Sequence, residues 1–158
     1  MRAHRAYEHA CTQDRRAVSE VRDVQGARDV GLAHSLHAVA ILVVEDDADT
    51  RELYRTMLHA SGADVRCAAS VEGAREILAT WCPNVILCDL HLPNVDGCAL
   101  IRELKDDPAL ATIPVISISG GHPEIEERRS RAAGFATHLV KPSKLAELID
   151  TLERLHVR

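Results

Sequence analysis

Carboxylates at Glu45, Asp46 and Asp47 and again at Asp89, hydroxyls at Ser117 and Ser119, the pair Gly120-Gly121 and the ammonium of Lys141 each close a short apolar run. Several carboxylates gathered in one place repel one another unless a cation sits among them. A hard divalent ion with oxygen ligands meets that need, and Mg²⁺ suits best because it takes only one or two protein carboxylates and completes its shell with water and phosphate oxygens. Lysine adds a compact donor aimed at an anion, serine a hydroxyl donor, and glycines after it let a ligand approach the backbone. Metal, lysine and hydroxyl around a central carboxylate make a site for a phosphoryl group held on that carboxylate, Asp89. Taken singly, these residues have plainer roles: Asp47 or Asp49 could cap a helix and Lys141 could be a surface charge.

Joint action requires a scaffold that delivers all of them to one edge. The runs "AVAILVV" (38–44), "DVRCAA" (64–69), "NVILCDL" (84–90), "IPVISIS" (113–119) and "FATHLVK" (135–141) are short, mostly β-branched and bounded by Gly, Pro or polar residues, as strands are. Between them the apolar spacing turns helical. Leu53, Met57 and Leu58 mark the first helix, opened by Asp49 three residues before Glu52 as a capping box. Val71, Ala74, Leu78 and Trp81 mark the second, Leu100, Ile101 and Leu104 the third, and Leu145, Leu148, Ile149, Leu152 and Leu155 the last. The fourth, over 122–134, has one large apolar residue, Ile125, and should be weakly anchored. Continuous apolar strands alternating with helices predict a doubly wound α/β domain with a five-stranded parallel sheet of flavodoxin-like size. In such a sheet the site lies beyond the carboxyl ends of the strands, where these acids, hydroxyls and lysine fall.

Composition narrows the function. With 46% hydrophobic and 27% charged residues over 158 positions, the chain fits one domain with a core. No run approaches the roughly 20 apolar residues of a membrane span, and no apolar core follows the basic N-terminus, so neither membrane insertion nor a signal peptide is expected. The formal charge of -5 and 3% aromatic content argue against direct nucleic-acid binding. Five cysteines without a CxxC pair predict reduced thiols, hence a cytoplasmic protein. Residues 1–38 lack a strand signal and read as a disordered or loosely helical extension, leaving 39–158 as the domain.

At these residues the chain resembles the receiver domains of two-component response regulators, over about 39–158. "ILVVEDD" resembles the family's first strand and acidic pair, "DLHLPNVDG" its phosphoacceptor segment, "IPVISISG" the segment with the Ser/Thr switch, and "HLVKP" the lysine motif, all in the family's order. The resemblance implies strand order 2-1-3-4-5 and phosphoryl transfer from a histidine kinase or histidine phosphotransfer protein onto Asp89. It also implies Mg²⁺, or Mn²⁺, held by Glu45, Asp46, Asp89 and the backbone carbonyl of His91. Lys141 would pair with the phosphoryl group, Ser119 would act as the switch, and the Lys141-Pro142 bond would be cis. Such a domain is a signalling module and not an enzyme beyond its own phosphorylation and dephosphorylation.

The family's inward-turning Tyr or Phe corresponds here to His138, which could rotate and change charge near neutral pH. The chain ends soon after its fifth helix, so output is expected through a downstream protein or a phosphorylation-dependent homodimer, or the chain is a receiver fragment of a hybrid kinase. A phosphatase with an aspartyl-phosphate intermediate is a lower-ranked alternative, because His91 stands where that chemistry wants a second acid. A receiver that binds partners without phosphorylation is opposed by the intact acid set. A nucleotide-binding domain is opposed by the absence of a Gly-rich loop after the first strand.

Overall fold

The computed structural model describes residues 36–156. Five short runs form β1 (Ala40–Val44), β2 (Asp64–Ala68), β3 (Val85–Asp89), β4 (Val115–Ser119) and β5 (Thr137–Val140). All pair in parallel in one sheet of order β2-β1-β3-β4-β5. The helices α1 (Ala48–Ala60), α2 (Val71–Leu78), α3 (Gly97–Asp106), α4 (Pro123–Ala133) and α5 (Leu145–His156) alternate with them. The three central strands β1, β3 and β4 are almost wholly buried, which explains their unbroken apolar character. Two apolar clusters result. One face of the sheet packs Leu42, Ile86 and Cys88 under α2 and α3, and the other packs Ile41, Leu87 and Ile116 under α1 and α5.

Several local details differ from the sequence reading. The cap of α1 is Asp47, whose carboxylate accepts the N–H of Thr50, and Asp49 lies in the first turn. Leu53 is 56% exposed while Tyr54 faces the core with Leu58. A leucine at a plausible helical position carries no sign of which neighbour turns inward; the strand geometry decides it. Trp81 is buried beyond the end of α2, under the guanidinium of Arg66 at 4.6 Å from the ring centroid. Leu145 is partly exposed, and Leu148, Ile149 and Leu152 carry the buried stripe of α5.

At the N-terminal side, Leu36 is fully buried and its N–H donates to the carbonyl of Ser61, so the packed unit includes residues just before β1. The remainder of the expected extension lies outside the described residues. Cys67, Cys88 and Cys98 carry free thiols, whereas Cys82 is disulfide-bonded, against the reading of every cysteine as reduced. Among the described residues no helix is long and apolar enough to cross a membrane.

α4 is less apolar still than its sequence suggests. Ile125 is 62% exposed, and the residues that α4 buries are Glu126 and Ser130. The helix ends at Gly134, whose φ of 101° is open to glycine at little cost.

Candidate functional site

The register of the sheet places the carboxyl ends of β1, β3, β4 and β5 side by side. Val44 pairs with Cys88, Asp89 with Ile118, and Ser119 with Val140. Glu45 extends the β1–β2 ladder by one bond, its N–H donating to Ala68, and Lys141 extends the β4–β5 ladder by donating to Ser119. Four residues far apart in the chain are thus set at one edge by main-chain bonds alone.

Their side chains converge. One carboxylate oxygen from each of Glu45, Asp46 and Asp89 lies within 4.8 Å of the others. Lys141 Nζ donates to Glu45 Oε2 and to Asp89 Oδ2, each at 2.6 Å. Glu45 and Asp89 are 1% and 5% exposed, while Asp46 faces solvent, so the cluster is closed beneath and open above. Burial raises the Glu45 carboxyl above 4.5, and the Lys141 hydrogen bond and charge offset only part of that rise. Burial by itself pulls Lys141 down, but its hydrogen bonds to Asp89 and Glu45 outweigh it and leave the ammonium above 10.5. The pocket therefore holds more negative charge than one lysine balances. Its donors are all oxygens, a set that suits Mg²⁺, with Asp46 free to turn toward an ion from the open side.

Two neighbours fix the acids. Arg51 of α1 donates through Nη1 to the carbonyls of Glu45 at 2.8 Å and Asp46 at 3.0 Å. Asp47, which trails the pair, is committed to the helix cap, and its hydrogen bond to Thr50 holds its carboxyl below 3.8. Past Asp89, the N–H of His91 donates to Asp89 Oδ1 at 2.8 Å, and the chain turns through Asn94 at φ 65°, a conformation asparagine tolerates. Asp96 then caps α3 through the N–H of Cys98.

Gly97 follows because α3 starts against the carboxyl end of β3: a Cβ there would overlap the carbonyl oxygen of Asp89 and lie 3.2 Å from Cα of Leu90. Backbone cannot yield as a side chain can. Gly97→Ala should therefore cost about 1–3 kcal/mol, as overpacking does, read as a lower urea midpoint at unchanged slope. A midpoint equal to wild type would refute this account of the Asp-Gly motif.

Ser119 is fully buried at the end of β4, and its Oγ has no hydrogen-bond partner among the described residues. A buried hydroxyl without a partner is costly, and a ligand oxygen at this edge would satisfy it. The Lys141-Pro142 peptide is cis. His138 lies beside Ser117 in the β4–β5 register, its Nδ1 is 2.9 Å from Ser117 Oγ, and Ser117 Oγ is 2.6 Å from Ser130 Oγ of α4. The His138 Nε2 is buried without a partner among the described residues.

Burial lowers the His138 pKa below 6.5 against the opposing charges of Glu126 and Glu127. A histidine whose folded pKa is depressed binds fewer protons folded than unfolded, so stability is full above about 6.5 and falls as pH drops through the folded value. His138→Phe should lose that component: its urea midpoint should fall less than wild type's between pH 7.5 and 5.5. An equal fall in both proteins would remove His138 as the cause.

Arg51, Glu126 and Ser130 were not expected at the site from sequence. Arg51 stands five residues after Asp46, a spacing that becomes informative only once α1 is known to start at Ala48. For Glu126 and Ser130, a polar residue in a polar helix carries no sign of burial.

A doubly wound parallel sheet whose strand ends gather three acids, a lysine and an unpartnered hydroxyl defines a flavodoxin-like domain built to hold a charged group at its switch point. The family model for the response regulator receiver domain matches residues 41–153, and the chain belongs to that family. The polar-differentiation response regulator DivK of Brucella ovis is 31% identical over 115 residues, 72% of this chain and 93% of its own. A signal receiver domain of a signal transduction histidine kinase from Syntrophus aciditrophicus superposes with a TM-score of 0.70 at 31% identity, over 75% of this chain and 90% of that one. The receiver domain of sensor histidine kinase PA1611 from Pseudomonas aeruginosa, described with a magnesium ion coordinated in its active site cleft, gives 0.71 at 28% identity, over 76% and 98%.

Proposed function

We propose that this receiver accepts a phosphoryl group on Asp89 from a phosphohistidine of a histidine kinase or histidine phosphotransfer protein and passes the signal on by a change of conformation to a downstream protein. The observation that carries the proposal is the Lys141 ammonium shared at 2.6 Å between two buried carboxylates, beside a buried Ser119 hydroxyl without a partner. An oxygen of Asp89 attacks phosphorus, the P–N bond to the donor imidazole breaks, and the imidazole leaves with a proton from solvent. Mg²⁺ bound by Glu45, Asp46, Asp89 and the His91 carbonyl would offset charge on the phosphoryl oxygens. Lys141 keeps its charge throughout and moves its hydrogen bond from the carboxylate to a phosphoryl oxygen. Ser119 Oγ gains the acceptor it lacks, drawing the β4–α4 loop toward Asp89, and α4, held by little apolar area, can follow. His138, bonded to the same helix through Ser117 and Ser130, stands where it can read that motion. The kinase phosphodonor, the downstream target and the cytoplasmic site of action belong to this reading. A phosphorylation-dependent homodimer is an alternative output route.

Incubation with a small phosphodonor tests the proposal. With Mg²⁺, intact mass should rise by one phosphoryl group; with excess chelator it should not. Sustained turnover of a phosphomonoester without accumulation of the adduct would favour the phosphatase reading.

A further inference from the structure

α4 is seated on polar groups, and one of these, Glu126, is aimed at the phosphoacceptor loop. Glu126 is 7% exposed, and its Oε2 is buried without a hydrogen-bond partner among the described residues. That oxygen lies 3.3 Å from Nε2 of His91 and 3.8 Å from Nη1 of Arg129, contacts that lack hydrogen-bond geometry. Arg129 in turn pairs with Asp96, the cap of α3. The side chain folds back over the β4–α4 loop because position 121 is glycine: a Cβ there would lie 2.9 Å from Glu126 Cγ and Oε1. At the other end, the His91 N–H donates to Asp89 Oδ1 at 2.8 Å. One residue therefore touches the phosphoacceptor through its main chain and α4 through its ring.

We propose that Glu126 is a positioning residue of the phosphoacceptor site: acting through His91, it holds α4 against the β3–α3 loop while Asp89 is unmodified, and releases it when Asp89 is phosphorylated. The proposal rests on Asp89 being the acceptor. A phosphoryl group on Asp89 adds charge and bulk beside the His91 amide, which must shift to a new acceptor. The ring shifts with it, and Glu126 loses its contact with the β3–α3 loop. With Ile125 turned to solvent, α4 has little apolar contact to keep it in place once that contact goes.

Amide hydrogen exchange reads this without requiring turnover. In chelator, Glu126→Gln and His91→Gln should each speed exchange of the α4 amides by about two- to fivefold, the range of a single partly exposed polar contact. The double variant should exceed neither single one, because both break one contact. Mg²⁺ with beryllium trifluoride, a phosphoryl mimic, should speed the same amides in wild type and remove the difference from the variants. The α2 amides should not change in any of these.

The proposal is overturned by unchanged α4 exchange in Glu126→Gln, by additive effects in the double variant, by a rise that extends to α2, or by an α4 that ignores the mimic. Failure of the acceptor assignment is distinguishable: labelling would then persist without the Asp89 carboxylate, while the exchange in chelator still reports whether Glu126 and His91 act together.

Discussion

Asp89→Asn should fold like the wild type and accept no phosphoryl group. The asparagine side chain has the same shape, and its amide oxygen can still accept the His91 N–H that Asp89 Oδ1 accepts now. Lys141 loses one of two carboxylates but keeps Glu45 at 2.6 Å. The loss of that ion pair and the relief of repulsion between Asp89 and Glu45 act in opposite directions, so stability should change by no more than about 1–2 kcal/mol. The reaction has no such compensation, because an amide oxygen is a poor nucleophile and cannot form a stable acyl phosphate here. Adduct by intact mass should therefore fall to background at every donor concentration, with a urea midpoint close to wild type. Labelling at the wild-type level would end the assignment of Asp89.

Lys141→Met should be the most destabilising exchange at the site. Methionine keeps the apolar stem, so the packing is preserved and the charge alone is removed. Glu45 and Asp89, both almost fully buried, then share the pocket with no cation between them. Removing one partner of a buried ion pair typically costs about 3–5 kcal/mol, and the lower end applies because the Lys141 side chain is 24% exposed. Measured by urea denaturation in chelator, the variant should lose about 3 kcal/mol. Mg²⁺ should recover more stability in the variant than it adds to wild type, since an ion that binds the folded acids stabilises by mass action and is now the sole balancing charge. A loss below about 1 kcal/mol in chelator, within the range of an exposed pair, would show that the pocket does not depend on Lys141 for its charge balance.

These two residues were legible in the sequence because their positions follow from alternation. Asp89 and Lys141 each close an apolar run, parallel strands end on one edge, and the observed register puts them there. Helix faces were harder. Leu53 and Tyr54 are adjacent, either could be the inward residue, and only the packing of α1 on β1 and β2 chooses Tyr54. The cap fell two residues before the expected Asp49 because Asp47 and Asp49 are chemically equivalent candidates, and the turn out of β1 selects the first. Least legible was α4. Burial of Glu126 and Ser130 is set by groups on other elements, His91 and Ser117, which no local pattern connects to them.

That polar underside has a thermal consequence. The heat capacity of a conformational change follows chiefly the apolar area it exposes to water, with polar area contributing in the opposite sense. A helix that turns Ile125 outward and rests on Glu126, Ser130 and their partners exposes little new hydrocarbon when it moves. The enthalpy separating its two positions should then vary little with temperature, and the balance between them should follow a nearly straight van't Hoff line. In the proposed switching role, such a helix would keep a predictable set point from a cold environment to a warm one, although the core beneath it follows the usual curved stability profile.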